Sequence, residues 1–166
     1  AYARPIGPAP GLMFAGFWIR FGAYVLDLLI LAIPIGVLFA VFHEQLFTLN
    51  CDYRSTAFSS SYVCTGGLTG SGWLAVAGWE LVSAVYFIGF WALSGASIGQ
   101  KLLHLRVVDV RNGARISVGR AALRFLGYLI NGFVFDLGFM WAGWDPQKQG
   151  WHDKIAGTFV VRPLAA

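Results

Sequence analysis

The sequence predicts an all-α integral membrane protein. It would hold two full transmembrane helices, a third apolar segment (a re-entrant hairpin or a third span) and a cytoplasmic amphipathic or hairpin loop. Three observations predict this. Hydrophobic residues make up 57% of the 166 residues and charged residues 12%, against roughly 45–50% and about 25% in ordinary globular chains. Residues 17–42 and 73–93 are long apolar stretches, and a bilayer core of ~30 Å needs about 20 such residues as helix. The Lys and Arg residues cluster in short stretches beside these segments, as the positive-inside rule expects of a multi-pass protein. The net charge of +4 would suggest nucleic acid in a soluble domain. Here it reads as orientation and contact with anionic lipid headgroups, and no nucleic-acid partner is expected.

Residues 1–11, rich in Pro, Gly and Ala, read as a flexible tail, and residues 12–166 as a single membrane domain. The first span is longer than the apolar core of a signal peptide, and no small-residue cleavage site follows it. It carries two charges, Arg20 and Asp27, together with Pro34 and Gly36; membrane helices tolerate both of the latter. The second span carries one charge, Glu80, and Trp73, Trp79, Tyr86 and Trp91 as aromatic anchors. Its Ala75, Ala77, Gly78, Ser83 and Gly89 would let another helix approach closely.

The polar loop over 44–72 holds both cysteines, Cys51 and Cys64. A disulfide is expected if that loop lies on the oxidising side; two free thiols are the alternative. The stretch 95–124 carries Lys101, Arg106, Arg111, Arg115, Arg120 and Arg124. Within it LLHLRVVDV alternates, Asn112 and Gly113 mark a turn, and RISV follows, which reads as a surface amphipathic or hairpin element. The loop over 44–72 has only Arg54, so the rule places 95–124 and the N-terminus in the cytoplasm and the cysteine loop outside. The third apolar segment, 121–144, is interrupted by Asn131 and Gly132 and carries Asp136. A full crossing would put Lys148, Lys154 and Arg162 outside. Turning back at Asn131 and Gly132 would keep both ends inside, with two halves of ~15 Å each, enough to enter a bilayer but not to cross it.

Charges within a membrane are costly, and by default they are candidate functional groups. Arg20 and Asp27 stand seven residues apart, hence on one helical face about 10 Å apart along the axis. Asp27 needs a partner, water or a proton; Arg20, His104, Arg124 and the C-terminal region are the candidates. It reads either as an ion or proton site or as a structural lock between helices. Near the end, His152 and Asp153 form a weak catalytic signal with no nucleophile in a recognised setting. Asp153 also reads as an N-terminal helix cap or an ion-pair partner. Glu80 and Asp136 are secondary intramembrane acids. His43, His104 and His152 show no ligand spacing, and no phosphate-binding glycine loop is present. No metal, cofactor or enzymatic activity is expected.

Three blocks, GFWIRFGAYVLDLLI, GASIGQKLLHLRVVDVRNGARISVGRAALR and QGWHDKIAGTFVV, resemble in order and spacing the RDD family of bacterial membrane proteins. The family is named for one Arg and two Asp, which correspond to Arg20, Asp27 and Asp153. Residues 99–107 resemble the family's Gly-x-x-Leu-x-Leu-Arg-Val stretch. Trp151 stands where an aliphatic residue often precedes the His. The cysteine loop is not a family hallmark. The resemblance implies placement in a bacterial inner membrane and a fold more than a function: transport, including sodium/proton exchange, has been suggested for some members, and others look like accessory subunits. Size, small-residue faces and the lack of a catalytic set favour an accessory subunit that packs on other membrane subunits or on itself. The alternative is an ion-coupled transporter working as an oligomer, with Asp27 and Asp153 titrating.

Overall fold

The structure, a computed structural model, describes residues 7–9 and 11–164, without the side chains at 38 and 42–45. The tail expected over 1–11 lies mostly outside the described residues. Two long helices dominate, α1 (Phe17–Leu46) and α2 (Gly70–Ser94). Both are long and apolar enough to cross a membrane, and only 12% and 11% of their most apolar windows are buried by the rest of the chain. Leu29, Ile33, Leu74 and Leu81 are among the apolar side chains left exposed. A helix that is apolar on faces its own chain does not cover is made for lipid or another helix. Pro34 lies inside α1 without ending it.

The chain divides into two compact units, residues 31–82 and the remainder. In the first, the cysteine loop is a β-hairpin of β2 (Phe47–Ser55) and β3 (Ser60–Leu68). Its turn is closed by Thr56 N–H donating to Ser59 O at 2.7 Å. Cys51 lies directly opposite Cys64 and is disulfide-bonded to it. The strands are exposed almost throughout, although β2 alternates, with Phe47, Leu49, Cys51 and Tyr53 on one face and Thr48, Asn50, Asp52 and Arg54 on the other.

The second unit adds β1 (Leu12–Phe14), α3 (Ile98–Leu102), β4 (Arg106–Asp109), α4 (Val118–Phe133), α5 (Leu137–Met140), α6 (Trp151–Ala156) and β5 (Thr158–Pro163). The strands form a sheet in the order β1-β5-β4, antiparallel throughout, with Met13 opposite Arg162 and Val107 opposite Val160. The all-α expectation is therefore corrected: the protein is mostly helical but carries five strands among the described residues. The alternating LRVVDV stretch is a strand, but its ladder is made with the C-terminal TFVVRP. The following RISV touches it only through the single bridge Val108–Arg115. Val108, Phe159 and Val161 bury one face of this sheet, with Leu12 and Phe14 against them.

The third apolar segment is not broken where its sequence suggested. α4 runs through Asn131 and Gly132 and ends at Phe133. The turn follows at Phe135 and Asp136, both in the left-handed region at φ 53° and 58°, and the next helix leaves at 114° to α4. Asn131 allows this by accepting the N–H groups of both Val134 and Asp136 on its carbonyl, so the end of α4 is satisfied without Gly132.

Candidate functional site

Asp153 is fully buried at the third position of α6. Its Oδ2 accepts the Gly150 N–H at 2.9 Å, capping the short helix, and a charged bond from Arg20 Nη1 at 2.5 Å. Its Oδ1 accepts from Arg124 Nη1 and from Thr158 Oγ1. Arg124 is 1% exposed. It also donates to Thr158 Oγ1 at 2.8 Å, and its guanidinium lies 4.9 Å from the centre of the Trp91 ring. One carboxylate thus joins the start of α1, the middle of α4, α6 and β5. A buried ion pair contributes only when its remaining donors and acceptors are also matched; here helix cap, hydroxyl and aromatic face match most of them, while Arg20 Nε and Arg124 Nε find no hydrogen-bond partner among the described residues.

His152 is 2% exposed, and its Nδ1 lies 3.0 Å from Asn131 Nδ2. An amide nitrogen can only donate, so the hydrogen-bond network assigns Nδ1 as acceptor and places the ring proton on Nε2, 3.5 Å from Asp153 Oδ2. Burial pushes the imidazole down to about 3; Arg124 and Arg20 push the same way and Asp153 opposes them. For Asp153, burial acts upward. Arg124, His152 and Arg20 together outweigh it and hold the carboxyl well below the usual range. α4 and α6 approach so closely that a Cβ on Gly127 would stand 2.7 Å from His152 Cα.

Asp27, 1% exposed, belongs to a separate knot. Its Oδ1 accepts Tyr86 Oη–H and the Gly99 N–H, each at 2.7 Å, and its Oδ2 accepts Ser97 Oγ–H at 2.5 Å. Any side chain at Gly99 would collide with the Ala23 carbonyl of α1 and crowd the Asp27 carboxylate. Ser97 caps α3, and Gln100 Oε1 accepts both the Ser97 N–H and Trp91 Nε1–H. Through Trp91, which lies under Arg124, the two knots share a neighbour.

The expected cluster of Arg20, Asp27, His152 and Asp153 is thus corrected to two: Arg20 joins His152 and Asp153, while Asp27 pairs with none of the cations suggested for it. The separation has a plain cause, since the seven-residue spacing carries Asp27 to the level of α3, where neutral donors meet it. Asp136 is exposed at the start of α5. Glu80 is half-buried on α2 in the other unit and enters no ion pair among the described residues. Gly78 and Gly89 meet nothing among the described residues that a Cβ would touch, so they serve no close approach there. Sequence reasoning gave Ser97, Thr158 and Asp145 no place in a polar cluster and read Asn131 only as a break in the third apolar segment. Asp145 Oδ2 accepts the Gln147 and Gln149 N–H groups, and its Oδ1 accepts from Lys154 Nζ at 2.5 Å. Burial acts to raise its carboxyl, but Lys154 and these backbone donors hold it below the ordinary value. Among the described residues no group of three His, Cys, Asp or Glu side chains is placed to hold a metal ion; the side chain of His43 lies outside them.

A family model described as the RDD family matches residues 14–157. The chain belongs to the RDD family. Of the three residues that the resemblance matches to the family's name, Arg20 and Asp153 touch and Asp27 is held apart from both. The RDD chain is 32% identical over 154 residues to the uncharacterized protein YxaI of Bacillus subtilis, covering 89% of this chain and 96% of that one. It is 25% identical over 154 residues to the uncharacterized membrane protein YteJ of the same organism, with 89% and 80% covered. It is also 27% identical over 152 residues to the proline-rich antigen of Mycobacterium leprae, with 87% and 60% covered. No solved structure matches. The family and the two apolar helices make this a membrane protein.

Proposed function

We propose that this RDD protein is a structural or accessory subunit of a larger assembly in a bacterial inner membrane, and not an enzyme. One observation carries the reading: each of its buried carboxylates already has its full complement of donors from the chain. Asp27 holds three and Asp153 is clamped by two arginines, so both act as locks between elements. In this reading α1 and α2 span the bilayer, with the hairpin outside and the basic stretch in the cytoplasm against anionic headgroups. The sheet supports a re-entrant third segment. β1 precedes α1, β4 follows α2 and β5 follows α5, yet the three are hydrogen-bonded together. Strands on opposite sides of a bilayer cannot pair. The open faces at Gly78 and Gly89 suit a neighbouring subunit. Purification in mild detergent tests the proposal: a stoichiometric membrane partner supports it, and a chain that elutes alone at every detergent strength counts against it.

One observation favours the alternative of ion-coupled transport. A cavity of about 330 Å³ is lined by Asp27, Arg20, Arg124, His152 and several aromatic rings. Transport would appear as cation-dependent proton flux in reconstituted vesicles, abolished by Asp27→Asn.

A further inference from the structure

A second cavity, of about 530 Å³, opens where α2 ends. Its wall carries Lys101, His104, Arg106 and Arg115 and, among the described residues, no carboxylate. Elsewhere in the unit Arg20 and Arg124 are neutralised by Asp153, Arg120 by Asp109 and Lys154 by Asp145. Lys101, Arg106 and Arg115 enter no ion pair among the described residues. Arg111, Lys148 and Arg162 enter none among them either, but none of these three lines this cavity. Of the three cations that do line it, two are nonetheless held. Arg115 Nη1 donates to the Leu93 carbonyl at 2.5 Å, at the carboxyl end of α2 where the helix dipole favours a cation. Lys101 Nζ stands 5.3 Å from the centre of the Phe90 ring. Arg106 opens β4, and His104 is fixed in the preceding turn in the left-handed region, at φ 55°. Three permanent cations converging on one concavity with no counter-charge repel one another and raise the local potential for an anion.

We propose that this pocket binds a phosphate-bearing anion. Arginine forks match phosphate oxygens and the lysine adds a point charge. The chemistry is common to an acidic phospholipid headgroup and to a free phosphate or phosphomonoester. The surroundings favour the lipid: Leu93 and Leu102 stand 76% and 60% exposed beside the pocket, at the end of a helix apolar enough to span. The inference rests on the headgroup contact of the proposed function and narrows it from the whole basic stretch to one pocket.

The test uses the full chain in mild detergent and native mass spectrometry. Phosphatidylglycerol and phosphatidylcholine of matched acyl chains are offered, and in a separate arm inorganic phosphate. Lys101 and Arg106 are exposed, so Lys101→Gln with Arg106→Gln should fold, as an unchanged melting temperature without ligand would verify. Wild type is expected to retain phosphatidylglycerol over phosphatidylcholine, and the double variant to bind it roughly 30-fold more weakly. Arg111→Gln, exposed and outside the pocket wall, should bind as wild type does. Stabilisation by inorganic phosphate without lipid preference, lost in the double variant, assigns the pocket to a free phosphate and upholds the anion chemistry. Equal binding by wild type and double variant in both arms overturns the proposal. So does an Arg111→Gln loss as large as that of Arg106→Gln alone, which would mean attraction by net charge. Failure here leaves the accessory reading intact, because that reading is scored by a co-purifying subunit.

Discussion

At the residue scale, the two knots respond to substitution in different ways. Asp27 accepts three hydrogen bonds from neutral groups. An amide in its place keeps one oxygen for Tyr86 and Gly99 and turns an NH2 toward the Ser97 oxygen. Asp27→Asn should therefore cost only about 1 kcal/mol, whereas Asp27→Leu orphans all three donors and should cost about 3 kcal/mol or more. Thermal melts of the detergent-solubilised protein distinguish the two, and equal losses would refute the lock. His152 gives the second prediction. Unfolded, the imidazole takes a proton near its ordinary value of 6.5; folded, it stays neutral down to about 3. Between those values the unfolded state binds more protons, so stability rises with pH. The contribution of His152 is fully present above 6.5 and drains away as pH falls toward 3, at up to about 1.4 kcal/mol per pH unit. Asp153, held low, adds to the acid loss only below its ordinary 3.8, so the window from 4 to 6.5 isolates His152. His152→Gln should flatten the stability profile there; a variant with the wild-type slope would show that the ring is not what drives it. The named residues were legible in the sequence because charge in an apolar segment demands a partner. Which partner each would take was not, because Ser97, Gly99 and Thr158 are ordinary residues until the fold delivers them.

At the element scale, the long helices were legible and most strands and all strand pairings were not, for a physical reason. α1 and α2 announce themselves by length and apolarity alone, whereas β5 pairs with strands far away in sequence, one of only three residues, and local pattern carries no trace of that. In the hairpin β2 alternates, with Phe47, Leu49, Cys51 and Tyr53 on one face and Thr48, Asn50, Asp52 and Arg54 on the other, but the paired glycines of β3 and the polarity of the loop as a whole masked that signal. The bend after α4 was read one short step early, at Asn131 and Gly132, because Gly and Asn are the usual left-handed residues; Phe135 and Asp136 adopt that conformation instead. The sheet makes a topological prediction. Cys51 and Cys64 are bonded to each other, so an engineered cysteine is the only reactive thiol. Leu164, exposed just beyond β5, is a suitable reporter. Leu164→Cys should escape a membrane-impermeant maleimide in intact cells and react in inverted vesicles. Phe58→Cys, at the fully exposed hairpin tip, should do the reverse. Labelling of both from outside would mean that the third segment crosses.

At the scale of the whole molecule, the sequence reads as one membrane domain, yet the chain folds on two kinds of bond. Residues 31–82 contain a disulfide-tied hairpin and stretches of apolar helix, with no ion pair among the described residues. The remainder holds the sheet and both knots. The difference suits the environments proposed for them: a disulfide persists only where thiols are not kept reduced, while buried ion pairs need the low-dielectric interior that helices and sheet build around Asp153. Composition could show that such an interior exists, but not that it is confined to one part. If the units are cooperative separately, local opening of one should leave the other protected. Cys51→Ser with Cys64→Ser removes the constraint on the hairpin's unfolded state and touches no group of either knot. Hydrogen exchange read by mass spectrometry should then accelerate across β2 and β3, while peptides carrying the Gly99 and Gly150 amides, both bound to carboxylates, keep their wild-type rates. Faster exchange at Gly99 or Gly150 would show instead that the hairpin stabilises the knots, and that the two units unfold as one.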